Sequence, residues 1–208
     1  MIILAIDGVY GAGSVAVAID GVVRAISIGN GDRTASEILP QLIQTVIADA
    51  DVDLNSIEKI AVNIGPGSFT GLRVGNATAL GIARQTGADV IGVPANLALA
   101  QSLEHSIINT IVSIGRNEIA FAAICNAFEF DFKRILIKNF EDVFQDQEIL
   151  TVADKRTSEL ITKHKIPVNR NLQFISTSMA EAIAITADRL EKESLRFEPN
   201  PIYLRGFR

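Results

Sequence analysis

Apolar residues occur in three short runs over the first 30 positions, separated by glycine and aspartate. The runs cover residues 2–6, 14–19 and 22–28, and each has the length of a β-strand. Asp20 and Gly21 separate the last two runs, and this pair is a strong signal for a two-residue hairpin because both turn positions need a positive φ. The chain is therefore predicted to begin with antiparallel strands.

From position 34 onwards, apolar residues recur every three to four positions, as in a helix. Apolar pairs recur through residues 38–47, which predicts an amphipathic helix, and Thr34 with Glu37 fits a capping box at its start. Strand and helix patterns then alternate, which predicts parallel pairing of the strands. The predicted strands are 57–64 and 90–93, and the predicted helices are 70–85 and 94–103.

The second half repeats this order of elements more weakly. Strands are predicted at 107–114, 119–126 and 130–138, and a long helix at 177–190. Three strands followed by alternating units, twice over, predict an α/β protein with two subdomains, 1–104 and 105–208, and no low-complexity linker between them. A return of the C-terminal tail to the first subdomain is left open.

Composition and charge narrow the range of functions. The chain has 208 residues, 48% of them hydrophobic, and a net charge of −5, which argues against a broadly basic surface for nucleic acid. Asp7 breaks the first apolar run far short of a membrane span and no basic leader precedes it, so the expected location is cytoplasmic, without membrane contact. The single cysteine, Cys125, has apolar neighbours and is predicted to be buried in a strand rather than reactive.

A glycine-rich turn, GPGSFTG at 65–71, joins a predicted strand to the helix that follows it. Exposed amides at a helix start suit an anion, and either Ser68 or Thr70 could cap this helix. The specific phosphate motifs fail, because a P-loop needs lysine where this chain has Leu72, and the dinucleotide motif needs glycine where it has Thr70. A structural role is therefore favoured for the turn.

The helix after the turn carries small residues four positions apart, which leave one stripe of its surface nearly bare. Each interior glycine costs roughly 1 kcal/mol relative to alanine, so another backbone is expected to approach closely. Two alternatives are equally open: the stripe packs on this protein's own sheet, or it meets another subunit together with the helix at 38–47. The stripe consists of Gly71, Gly75, Ala79 and Ala83.

Four segments form a recognisable set: ILAID at 3–7, ILP at 38–40, GPGSFTGLRVG at 65–75 and PIYLR at 201–205. Together they resemble the bacterial TsaB (YeaZ-like) family, which is required for threonylcarbamoyladenosine formation in tRNA. The match spans almost the whole chain, and residues 65–75 are its most specific part. The resemblance implies an actin-like ATPase fold of the ASKHA, ribonuclease H-like class, with two related subdomains of mixed sheets flanked by helices.

The resemblance also implies a role without catalysis. A family member acts as scaffold and activator for a TsaD-like catalytic paralogue, which with a TsaE-like ATPase places the threonylcarbamoyl group beside the anticodon of tRNAs that read codons beginning with A. ATP and metal are then supplied at the partner subunits, tRNA contact is indirect or shared, and the chain alone is expected to form a homodimer. The implied contacts lie on the helices at 34–50 and 70–85. The implied interface residues are Leu39, Ile43, Gly71, Arg73, Gly75 and Ala79.

Two short segments depart from the family pattern. Gly8 and Val9 stand where the family has a Thr-Ser or Thr-Ala pair. Thr34 and Ala35 stand where it has His-Ser. Both changes weaken any inherited ligand site at the first hairpin.

If this chain has a catalytic or nucleotide-binding activity of its own, Asp7 is the residue to consider first. In actin-like ATPases an acid at the end of the first strand reaches magnesium and phosphates, which makes Asp7 the candidate nucleotide-binding residue. The alternative is a turn aspartate that bonds nearby amides. His105 and His164 stand far apart, unlike the paired histidines of the catalytic paralogue, so neither a metal site nor a protease is expected. No catalytic residue is predicted, and the rival hypothesis is an independent actin-like ATPase or small-molecule kinase that uses Asp7.

Overall fold

The computed structural model describes nine segments of the chain, and the two longest cover most of the first half. His105 and His164 lie outside them, and so does the end of the predicted motif at Arg205. The described residues are 1–30, 33–101, 107–115, 118–125, 129–136, 150–153, 155–163, 172–174 and 178–204.

The first sheet begins with the three predicted antiparallel strands. They are β1 (Ile2–Asp7), β2 (Ser14–Ile19) and β3 (Val22–Ile28). The hairpin between β2 and β3 is confirmed, because Asp20 and Gly21 have φ values of 50° and 78°. Two further strands pair in parallel on the other side of β1, which gives the order β3-β2-β1-β4-β5. These strands are β4 (Lys59–Gly65) and β5 (Asp89–Pro94).

Two α-helices and a short 3₁₀ turn connect these strands, and a third α-helix follows β5. The Thr34 N–H donates to the Glu37 carboxylate at 2.7 Å, as the predicted capping box requires at the start of α1. The predicted strand at 57–64 begins later, at Lys59, because Asp53 caps the 3₁₀ turn just before it. The helices are α1 (Ala35–Asp49), α2 (Phe69–Thr86) and α3 (Ala95–Gln101), and the 3₁₀ turn is Leu54–Ser56.

The second sheet repeats the order of the first. Its strands follow the order β10-β9-β6-β7-β8, so β6, β7 and β8 form the antiparallel part and β9 pairs in parallel with β6. The predicted repeat of element order is therefore present. The elements are β6 (Ile107–Gly115), β7 (Glu118–Cys125), β8 (Glu129–Leu136), β9 (Leu150–Ala153), α4 (Lys155–Lys163), β10 (Leu172–Phe174) and α5 (Met179–Lys192).

Helices cover both faces of the first sheet. Successive residues of a strand point to opposite faces, so Leu4 and Ile6 join the core under α1 and α2 while Ile3 and Ala5 join the core with α5. The α5 helix comes from the second half of the chain but packs against β1 and β2, beginning at Met179 because the Ser178 side chain caps it. The two halves therefore share one of their cores.

The segment after α5 runs back along the first sheet. The Gly92 N–H donates to the Phe197 carbonyl at 2.8 Å, and the Ile202 N–H donates to the Ile64 carbonyl at 2.7 Å. A Cβ on Gly92 would lie 2.4 Å from the Glu198 carbonyl oxygen, so this close approach requires glycine. Among the helices that the structure describes, none has the length and apolar character needed to cross a bilayer.

Candidate functional site

The glycine-rich turn leaves the end of β4 and leads directly into α2. Gly65 has a φ of 96°, in the region that favours glycine, and it precedes a cis peptide bond to Pro66. Of the two predicted caps, Ser68 is the one used: its hydroxyl accepts the Gly71 N–H at 3.3 Å. Thr70 instead lies exposed in the first turn of the helix.

Asp7 ends β1 with its side chain fully buried. The carboxylate accepts hydrogen bonds from the Val9 N–H at 2.9 Å, the Tyr10 N–H at 3.3 Å and the Asn63 side-chain amide at 2.8 Å. The Asn63 amide oxygen in turn accepts the Gly65 N–H at 2.8 Å. Asp7 therefore stabilises the turn after β1 and ties it to the end of β4.

The two turns also pack directly against each other. A Cβ on Gly67 would lie 2.1 Å from a methyl carbon of Val9, and the Tyr10 hydroxyl donates to the Pro66 carbonyl at 2.9 Å. A magnesium nucleotide, which the actin-like fold brings to this turn in ATPases, does not fit here. The carboxylate that would reach it is buried and engaged by amides, and the turn after β1 is in contact with the turn after β4. The hydrogen bonds of Asp7 are those expected of a turn aspartate, and nucleotide binding there stays a prediction.

The bare stripe of α2 packs inside the chain. A Cβ on Gly71 would lie 2.1 Å from the Gly8 carbonyl oxygen, and Gly75 faces the Gly8 backbone at 3.5 Å. The first alternative for the stripe, packing on the chain's own sheet, is therefore correct. Of the six residues predicted for a partner interface, five are buried within the single chain and Arg73 is exposed, and their part in an interface stays a prediction. The five are Leu39, Ile43, Gly71, Gly75 and Ala79.

The opposite side of the same helix is exposed, and it is referred to below as the outer face of α2. Leu80 is 50% exposed and Phe69 is 40% exposed, so two large apolar side chains of this helix face solvent. The Arg73 guanidinium lies over the Phe69 ring, 4.3 Å from its centroid, and the Phe69 and Tyr203 ring centroids are 5.1 Å apart. The outer face comprises Phe69, Arg73, Ala77, Leu80, Gly81 and Arg84.

Gly81 is the most informative residue of the outer face. It lies in the middle of α2, and a Cβ built on it would meet no described atom within 4 Å. Glycine costs about 1 kcal/mol relative to alanine in a helix interior, and no contact within the described chain requires it here. Ala77, four residues earlier, continues this second line of small residues. The sequence analysis missed this second line because the neighbouring stripe has two glycines and directly follows the glycine-rich turn.

Charges are segregated between the two helices on this side of the sheet. The α1 helix contains exposed Glu37 and Asp49 and no basic residue, whereas α2 contains exposed Arg73 and Arg84 and no acidic residue. Hydrogen bonds from the Thr34 hydroxyl and backbone N–H hold the pKa of Glu37 below its usual value, so its charge is retained in mild acid. The surface formed by α1 and α2 therefore has an acidic and a basic half.

The described residues contain no group of three or more His, Cys, Asp or Glu side chains placed to hold a metal ion. Cys125 lies at the end of β7, the strand in which it was predicted. Neither histidine belongs to the described ranges, so the expectation for that pair stays a prediction.

Comparisons with known proteins agree on one family. The family model for TsaD, tRNA N6-adenosine threonylcarbamoyltransferase, matches residues 30–192. The tRNA threonylcarbamoyladenosine biosynthesis protein TsaB of Haemophilus influenzae is 26% identical over 176 residues, covering 83% of this chain and 70% of the relative. The TsaB protein of Escherichia coli is 38% identical over 101 residues, covering 49% of this chain and 43% of the relative.

Similarity to a solved structure shows the fold. YeaZ from Pseudomonas aeruginosa superposes with a TM-score of 0.76 at 19% identity, covering 98% of this chain and 99% of that one. The predicted α/β fold of the actin-like class is thereby confirmed. The family model covers most of the chain, and the curated relatives carry the name that the sequence motifs indicated. The chain belongs to the TsaD family and is, within that family, a TsaB/YeaZ-like protein.

Proposed function

We propose that this chain is a non-catalytic scaffold and activator in the formation of threonylcarbamoyladenosine beside the anticodon of tRNAs that read codons beginning with A. Its partner is a TsaD-like catalytic paralogue, and a TsaE-like ATPase joins through that complex in the cytoplasm. The names of the two TsaB relatives and the match to the TsaD family model support the process. ATP and metal are supplied at the partner subunits, and tRNA contact is indirect or shared.

The observation that carries the proposal is the outer face of α2. An exposed leucine, an exposed aromatic ring and a mid-helix glycine with open space around it lie together on one helix. Small residues at a helix surface let a second helix approach closely, and the apolar neighbours are then removed from water. The cost of Gly81 is explained if a partner helix crosses α2 at that point.

The charge pattern indicates the kind of partner. A paralogue with the same fold presents its own first two helices, and a two-fold or nearly two-fold axis brings α1 of one subunit against α2 of the other. Where the partner is a second copy of this chain, the acidic side of α1 faces the basic side of α2, at Arg73 and Arg84. The same geometry serves a homodimer when the catalytic paralogue is absent.

The absence of catalysis in the proposal is supported by the surroundings of Asp7. The carboxylate accepts two backbone N–H groups and the Asn63 amide, and it is fully buried. The rival hypothesis of an independent ATPase or kinase needs this group to face a metal nucleotide. Calorimetry with magnesium and ATP tests the rival directly, because micromolar affinity that disappears in Asp7→Ala would favour it.

The test of the proposed interface uses Gly81→Leu in the full chain and the organism's TsaD-like protein. Gly81 has open space in the monomer, so the variant is expected to fold with an unchanged or higher melting temperature. The leucine would block a helix that approaches Gly81, and affinity for the TsaD-like protein should fall by about tenfold or more.

Glu193→Leu is the matched control, since it adds the same side chain at an exposed position beyond α5, which covers the other face of the sheet. The control should bind like the unchanged chain. Equal affinity for Gly81→Leu and Glu193→Leu in calorimetry would rule out docking on the outer face of α2.

A further inference from the structure

The β3 strand lies at an edge of the first sheet, and β2 is its only partner among the described strands. The Gly29 N–H donates to the Gly13 carbonyl at 2.8 Å, so Gly29 and Gly13 form a hydrogen-bonded pair. This pair determines which residues of β3 bond to β2. Residues of an antiparallel pair alternate between bonding their partner and pointing their amide groups outward. Ile26 and Ile28 are therefore the positions whose N–H and C=O groups point away from β2.

The side chains of this edge are unusually apolar. Ile28 is 64% exposed, Val22 is 53% exposed and Ile26 is 37% exposed. Natural edge strands are commonly protected by charges, proline or a bulge. The β3 strand has no proline, and Arg24 is its only charge. The register shift opposite Val17 and Ala18 involves Arg24, which leaves the end of the strand at Ile26 and Ile28 regular.

A groove of about 450 Å³ runs between this edge and α1. Its apolar floor is formed by Ile38 and Leu42 of α1. The α1 helix packs over β2 and β3, and the groove lies along the side of α1 that is away from α2. Ile28 and several hydroxyl and amide side chains line the rest of it, and Arg33 is the charged residue among the described lining residues. The lining residues are Ser27, Ile28, Asn30, Arg33, Ile38, Gln41, Leu42 and Thr45.

Arg33 has unused capacity to donate hydrogen bonds. Among the described residues, its guanidinium donates one long hydrogen bond, at 3.4 Å, to the Gln41 side-chain oxygen. The nearby Glu37 carboxylate accepts both the hydroxyl and the N–H of Thr34 at 2.7 Å, so it is occupied by the helix cap. A guanidinium in this position is suited to a carboxylate from outside the chain.

We propose that β3 and α1 form a docking groove for an extended, acidic segment of a partner protein. The segment adds to the sheet as a further strand, with alternate apolar side chains against Ile26 and Ile28 on the α5 face of the sheet. The intervening side chains point toward the groove, and one of them is a carboxylate that meets Arg33. Strand addition of this kind gains affinity from main-chain hydrogen bonds and specificity from alternate side chains. A second copy of this chain is the less suitable occupant, since β3 contains no carboxylate to meet Arg33.

This groove shares α1 with the interface of the proposed function, but its β3 wall at Ile28 lies on the side of α1 away from α2. The experiment selects random peptides about nine residues long, displayed on phage, against the immobilised full chain. The best peptide is then synthesised with a fluorescent label, and its binding is measured by anisotropy. The selected peptides should alternate apolar and polar residues and contain an aspartate or glutamate.

Three variants locate the binding site. Ile28→Lys and Arg33→Glu change exposed residues and should each weaken the peptide by about tenfold, while Leu195→Lys, at another exposed apolar position, should have no effect. A lysine in place of the peptide's acid should restore binding to Arg33→Glu. N-methylation of the peptide amides that face β3 should abolish binding, whereas N-methylation of the alternate amides, which face solvent, should spare it. Side-chain contacts alone would not produce this difference.

Two results would overturn the proposal. The first is a failure to select any peptide whose binding depends on Ile28. The second is a dimer in sedimentation that Ile28→Lys dissociates, because a second copy would then occupy the edge. A normal TsaD-like interaction in Ile28→Lys is expected in every case, so failure here is distinguishable from failure of the α2 interface.

Discussion

Three glycine-to-alanine changes on one helix, Gly71→Ala, Gly75→Ala and Gly81→Ala, should have three different effects on stability. An alanine at 71 would place its Cβ 2.1 Å from the Gly8 carbonyl oxygen and 3.0 Å from the Val9 Cα, both in the backbone. Neither atom can rotate away, so the turn after β1 and the start of α2 must separate. That separation disturbs the hydrogen bonds of Asp7 as well.

The magnitudes follow from two opposing contributions. Overpacking of a core costs about 1–3 kcal/mol and sometimes more, while alanine gains about 1 kcal/mol of helix propensity over glycine. Gly71→Ala should therefore lower the free energy of unfolding by about 1–2 kcal/mol, because the 2.1 Å backbone contact puts the overpacking cost at the upper end of its range. Gly81→Ala meets no described atom within 4 Å and should raise it by up to about 1 kcal/mol. Gly75→Ala makes ordinary contacts at 3.5 Å and should fall between them.

Urea denaturation of the three variants, followed by circular dichroism, measures these differences. For a chain of this size about 2–4 °C of melting temperature corresponds to 1 kcal/mol, so thermal melts provide a second readout. Unchanged stability in Gly71→Ala would show that α2 does not pack on Gly8. Destabilisation by Gly81→Ala would show that Gly81 has a packing role inside the chain, and the argument for a partner at that point would fail.

Three further predictions concern single side chains. Ser68→Ala should cost about 1 kcal/mol in urea denaturation through loss of the α2 cap, and Thr70→Ala, at the rejected cap position, should cost nothing comparable. Asp7→Ala should cost about 1–3 kcal/mol because buried amides lose their acceptor, and calorimetry should detect no ATP binding before or after the change. The hydrogen bond from Lys59 holds the pKa of Asp89 below its usual value. The contribution of Asp89 to the free energy of unfolding should be complete above the unfolded-state pKa and lost as the pH falls through the folded-state pKa. NMR titration of Asp89 locates this pH range, and Asp89→Asn should remove the pH dependence.

Local signals in the sequence were sufficient for most of the first sheet. Asp20 and Gly21 fixed the hairpin because only a few residue pairs adopt its two positive φ angles. The spacing of apolar residues in α1 and the capping pair at its start located that helix. These features depend on neighbours within a few residues, which the sequence presents directly.

The sequence left the packing of the bare stripe open for a different reason. Helical spacing shows that Gly71 and Gly75 share one side of α2, but it does not show what lies against that side. The partner is Gly8, more than sixty positions earlier in the chain, and the contact depends on β1 and β4 being neighbours in the sheet. The outer face was equally periodic, and only the burial of the first stripe distinguishes the two.

The edge position of β3 and the packing of α5 on the first sheet are likewise properties of topology. Apolar and polar residues alternate only weakly along β3. Isoleucine is common in central strands, so Ile26 and Ile28 give no sign in the sequence that this strand lies at an edge. The α5 helix belongs by sequence to the second half, yet it packs on β1 and β2. Neither feature has a local signal, because each depends on which strands end up adjacent.

The most direct test of the central claim is the yield of threonylcarbamoyladenosine in a reconstituted reaction. Unmodified tRNA, the organism's TsaD-like and TsaE-like proteins and the donor substrate are combined with this chain, with Gly81→Leu or with Glu193→Leu, and the modified nucleoside is measured by mass spectrometry. The yield should be supported by the unchanged chain and by Glu193→Leu, and it should fall by about tenfold or more with Gly81→Leu or without the chain. Undiminished modification in the absence of the chain would contradict the account.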